Sequence, residues 1–140
     1  HKTALERACK LAKAKGAKRA LPLPISAPFH SSLLKPASYR LAEYMKGVEF
    51  SVPIIPLINN VDVAIQNDPN AIKDALVRQV ANSVRWVETI QKMASLGVTH
   101  IVDCGPGKVL AGMIKRIDSS INGLAIVDQT SLDAVLEALK

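Results

Sequence analysis

Apolar positions in residues 3–15 recur at helical spacing. Leu5, Ala8, Leu11, Ala12 and Ala14 alternate with lysines and arginines, and Gly16 stands where such a helix stops. Ala17 to Ile25 is a short apolar run that reads as a strand, with Pro22 and Pro24 suited to an edge or an irregular end. Ser26 to His30 reads as a loop. Ser31 and Ser32 are N-cap candidates for a helix to about Lys46, closed by Gly47, with Pro36 tolerable only in its first turn. Ile54 to Ile58 reads as a buried strand ending at Asn59-Asn60. Asp68-Pro69 is a cap followed by a first-position proline, opening a helix to about Val80. A further helix runs from about Val84 to Leu96 and stops at Gly97. Val98 to Asp103 is a strand, and Gly105-Pro106-Gly107 turns into a helix from Lys108 to about Ile117. Gly123 to Val127 is the last strand, and Ser131 caps a final helix to Lys140.

Strands alternating with helices predict an α/β fold with a largely parallel sheet. Sites in such sheets lie at the carboxyl ends of the strands. The loops placed there are Ser26–Ser32, Asn59–Val63, Cys104–Lys108 and Asp128–Ser131. The chain shows no internal repeat, and one boundary falls near Ser26.

Composition narrows the class. With 140 residues, 49% apolar and 21% charged, the chain suits one domain with a real core. No apolar run approaches the roughly 20 residues needed to span a bilayer, and the charged start is unlike a secretory signal, so the cytoplasm is the expected compartment. Cys9 and Cys104 lie far apart outside any metal-spacing motif, which disfavours both a disulfide framework and a zinc site. The net charge of +6 owes much to Lys2, Arg7, Lys10, Lys13, Lys15, Lys18 and Arg19. Their interleaving with apolar residues describes a solvated helix face, and aromatics at 4% are too scarce for base stacking, so nucleic acid is disfavoured. A docking face for an acidic protein partner is the better functional reading of that charge. The first residue is histidine, which raises the expectation of a segment of a longer protein.

Three stretches are candidates for chemistry. His30 stands in a loop before a helix, where a side chain that exchanges protons near neutrality is well placed. On spacing alone, a packed or surface histidine remains the stronger reading. Gly105-Pro106-Gly107-Lys108 links a strand to a helix, so its amides could meet an anion, although it lacks the Walker pattern and also suits a tight turn. Trp86 is the single tryptophan, and Arg85 before it could hold a carboxylate with both arms of its fork, although a solvated or packing arginine is the stronger reading. The carboxylates are scattered, with no evident dyad or metal cage.

Four segments in this order resemble the malonyl-CoA:acyl carrier protein transacylase family of type II fatty acid synthesis, in its C-terminal half. They are GAKRALPLPISAPFHSSLLKPA at 16–37, PLINNVDV at 56–63, ALVRQVANSVRWVETIQKM at 75–93 and DCGPGKVLAGMIKRI at 103–117. The resemblance implies an α/β-hydrolase-like acyltransferase core with an inserted ferredoxin-like subdomain. Residues 1–25 would be the last helix and strand of that insert, and residues 26–140 the C-terminal portion of the large core. The family uses a serine–histidine pair. Its serine lies in a GHSxGE-type elbow upstream, and this chain contains no GxSxG. The malonyl-clamping arginine and the oxyanion-hole loop are also upstream.

His30 matches the family's catalytic histidine. A main-chain carbonyl orients that ring in the family, and the match falls on Gln79, which implies that the Gln79 side chain matters little. Phe29 fits a malonyl preference seen in related modular acyltransferases. The implied reaction is transfer of malonyl from coenzyme A to the phosphopantetheine thiol of acyl carrier protein through a seryl acyl-enzyme, with no cofactor and no metal. The implied partners are acyl carrier protein, a coenzyme A thioester and the missing N-terminal half of the same enzyme, with neither nucleic acid nor membrane. Two alternatives stand beside it: a noncatalytic α/β module binding a phosphate-bearing ligand at Gly105–Lys108, and an acyltransferase domain fragment of a modular synthase.

Overall fold

A computed structural model describes residues 1–140. Helix α1 spans Lys2–Ala14 and ends at Gly16, whose φ of 91° needs the freedom glycine has. After it the chain departs from the sequence expectation. Residues 17–25 form no strand, because no neighbouring strand completes their ladder, and Leu21, Leu23 and Ile25 stand exposed. A single 3₁₀ turn, Ser32–Leu34, leads into α2, Lys35–Met45, with Pro36 in the first turn. Ser31 precedes that turn but does not cap it. Its hydroxyl donates to Pro28 O at 2.7 Å.

The expected buried strand at 54–58 shrinks to β1, Leu57–Ile58, paired antiparallel with an unforeseen β2, Ile65–Gln66. Ile54 is 99% exposed, so the run is apolar without being core. Helix α3, Pro69–Gln79, starts as its signal predicts, with the Asp68 carboxylate accepting from Ala71 N at 2.7 Å. It packs against α2, where Ser38 Oγ donates to Val77 O at 2.7 Å and Ile72 and Ala75 are buried.

The remaining elements form the better-packed part. Helix α4, Trp86–Ser95, is followed by Gly97 at φ 80°, then by β3, His100–Asp103. Helix α5 covers only Ala111–Ile117, three residues later than expected. Strand β4, Asn122–Ala125, pairs in parallel with β3, and α6, Gln129–Ala138, closes the chain. Its cap is Asp128, and Ser131 is the third residue of a reciprocal capping box. Ile90, Ile114 and Ile121 are fully or nearly fully buried, with Trp86, Met93, Ala94, Ile101 and Ile117 around them. A Cβ at Gly123 would lie 2.7 Å from Ala111 O, so only glycine lets β4 approach α5 so closely. The architecture is α/β, and its parallel sheet has two strands. No helix is long and apolar enough to cross a membrane.

Candidate active site

His30 is an exposed turn residue with φ 56°. Its neighbours are the last carbonyls of α3, which the helix itself leaves without partners. The His30 main-chain N–H donates to Val80 O at 3.3 Å, and ring Nδ1 lies 3.1 Å from Gln79 O. A carbonyl only accepts, so Nδ1 carries the proton in the neutral ring and Nε2 keeps the free lone pair. Gln79 therefore lies beside His30 through its backbone. Its side chain is occupied as well, since Oε1 accepts from Asn60 N–H at 3.3 Å. The expectation that this side chain matters little thus meets a specific contact.

Beside the ring, an apolar groove of about 460 Å³ runs between α2 and α3. Phe29, Leu34, Leu41, Met45 and Leu76 line it together with His30.

The Asn59–Ala64 turn faces the same end of α3. Asn59, buried, accepts from Val61 N and Asp62 N at 3.2 and 2.7 Å. Asp62 receives both arms of Arg78 at 2.7 Å each, while Arg78 Nε donates to Asp74 at 2.6 Å. The Arg78 guanidinium holds the Asp62 carboxyl below its ordinary range, against the opposing effect of partial burial, and Asp62 and Asp74 push the Arg78 pKa up. Arg85 holds a carboxylate bidentately, as its sequence allows, and that carboxylate is Glu88, at 2.6 Å on each arm. Its backbone N–H also donates to Asn60 O at 3.0 Å. Sequence reasoning singled out neither Asp62 nor Arg78, 16 residues apart. Their opposite charges were the only available signal, and any surface pair supplies that.

Two of the four expected loops thus meet at the end of α3. The Cys104–Lys108 loop lies elsewhere, and its hollow shares no lining residue with the groove at His30. Because α5 begins at Ala111, Gly105–Lys108 is not a helix start. The Asp103 carboxylate already lies against Ala111 N at 3.4 Å. An anion there would meet a resident negative charge, which weakens the phosphate-site expectation. His100 opens β3, where Thr99 Oγ1 and Asn122 Nδ2 flank its ring nitrogens. Trp86 packs on the core, and its Nε1 has no partner.

No protein-family model matches the chain. Individual relatives do, and they are acyl-transferring enzymes. The chain is 47% identical over 137 residues to the malonyl CoA-acyl carrier protein transacylase of Escherichia coli (strain K12), covering 98% of this chain and 44% of that protein. The crystal structure of an acyl-carrier-protein S-malonyltransferase from Burkholderia pseudomallei superposes with a TM-score of 0.90 at 62% identity, over 95% of this chain and 43% of that one. A malonyl-transacylase solved in complex with its type II PKS acyl-carrier protein gives 0.93 at 47% identity, over 98% and 44%. By name these relatives are acyltransferases, and over its length the chain is similar to malonyl CoA-acyl carrier protein transacylases. It spans less than half the length of the relatives it matches.

Proposed function

We propose that this chain is the histidine-bearing, C-terminal portion of a malonyl-CoA:acyl carrier protein transacylase. On this reading residues 1–25 belong to a small ferredoxin-like subdomain and residues 26–140 to a large α/β-hydrolase-like core. The observation that carries it is the ring of His30 held by Gln79 O, with Nε2 free. That is the arrangement a general base requires.

The nucleophile is a serine supplied by the N-terminal part. Nε2 takes the serine proton as its oxygen attacks the malonyl thioester carbon, the carbon–sulfur bond breaks, and the proton passes to the departing coenzyme A sulfur. The phosphopantetheine thiol of acyl carrier protein then gives its proton to Nε2, attacks the seryl ester and leaves with the malonyl group, and the serine recovers its proton. No step calls for a cofactor. The basic residues of α1 and of the segment after it are exposed and enter none of the five ion pairs, so their charge is free to attract an acidic carrier protein.

In the intact protein, His30→Ala lowers malonyl transfer to carrier protein by about 10² to 10⁴. A variant that loads carrier protein at the normal rate refutes this assignment.

A further inference from the structure

We infer that Asp62, through Arg78, is a positioning residue for His30. The inference rests on reading His30 as the base. What aims the ring is a carbonyl at the very end of α3, where helices fray because no following turn holds them. Gln79 O and Val80 O both serve His30, at 3.1 and 3.3 Å. Their position must be fixed from outside the helix.

The Asn59–Ala64 turn does this with two ties to adjacent residues of α3. Asp62 grips Arg78 with both oxygens at 2.7 Å, and Asn60 N–H binds Gln79 Oε1 at 3.3 Å. A fork on a carboxylate fixes direction as well as distance, which a lysine would not. The turn is itself over-determined. Asn59 closes it from inside, Arg85 Nη1 reaches Asp62 O at 3.4 Å, and Val63 is kept at φ 58°, a left-handed conformation that β-branched residues rarely adopt. Backbone held so far from its relaxed state is a recurring mark of segments that position functional groups.

The test uses the intact enzyme with Asp62→Asn, Asp62→Glu and Arg78→Lys, each checked for fold by circular dichroism. Asp62→Asn and Arg78→Lys each lower kcat about ten- to a hundredfold, the penalty of a slightly misaimed group. The KM for malonyl-CoA stays within about twofold, and Asp62→Glu recovers most of the rate. The nitrogen NMR signals of the His30 ring shift from one neutral tautomer toward a mixture. A lowered melting temperature with unchanged kcat and unchanged ring signals means a merely structural pair and overturns the inference. The ring signals decide this even if His30→Ala shows that the histidine is dispensable for transfer: mixed tautomers uphold the tether, and a single tautomer in both variants ends it.

Discussion

Histidine is among the few side chains that enter the left-handed region with any frequency, and His30 sits there at φ 56°. That backbone turns its ring toward Gln79 O at the end of α3 and its N–H toward Val80 O just beyond it. The charge beside them gives a pH signature. Asp62 is held below its ordinary value of 3.8 chiefly by its hydrogen bond from Arg78. A lowered carboxylate contributes stability that is fully present above its unfolded pKa and is lost as pH falls through the folded one. The stability gap between wild type and Asp62→Asn is therefore full near neutrality and closes in acid, below about pH 4. Denaturation midpoints of both proteins across that range measure it, and a gap that widens in acid contradicts the assignment. Added salt shrinks it, because both partners are partly exposed. At this scale the sequence offered His30 only as a loop histidine. The order of four segments around it made it a candidate site residue. The tie from Asp62 stayed hidden, because nothing in a linear pattern says which of many charges meet across a turn.

Among the elements, α3 has the largest task, since its last turn carries the histidine's partners. Its start depends on Asp68, and replacing a cap of this kind costs about 0.5 to 2 kcal/mol. Asp68→Ala lowers the thermal midpoint of the intact protein and loosens α3, seen as faster amide exchange along Pro69–Gln79 than along α4. Equal exchange in both helices shows that the cap is not what holds α3. The helices were legible because their signals are local: a cap with proline at 68–69, and glycines at 16 and 97 with φ of 91° and 80°. Strands were harder. The runs at 17–25 and 54–58 have strand composition, but a strand exists only with a partner, and residues far away in sequence decide that. Asp128 was passed over in favour of Ser131 because both belong to one capping box and either residue type suits the role.

The whole chain exposes 10345 Å². A folded monomer of 15.0 kDa exposes about 7,000 Å² by the usual scaling with mass. The excess of roughly 3,300 Å² is more than one side's half-share of most permanent interfaces, which bury about 2,000 to 5,000 Å² over both partners. Much of it is apolar, as at Leu21, Leu23, Ile54 and Ile55. Residues 1–140 expressed alone are therefore expected to bind a hydrophobic dye strongly, to melt over a broad range and to transfer no malonyl group. A sharp monomeric melt without dye binding shows that these surfaces need no cover. At this scale the α/β class was visible from the alternation of elements. The extent of the sheet was not, because two parallel strands and a fuller sheet leave the same local pattern.

The bond that aims His30 ends on a main-chain oxygen, and no amino-acid substitution at position 79 removes it. Alanine at position 79 removes the side chain's hold on Asn60 and leaves in place the carbonyl that faces the ring. The same oxygen takes up no proton at any pH where the protein is folded. A carboxylate in its place would let go of the ring in acid, whereas a carbonyl goes on accepting from it.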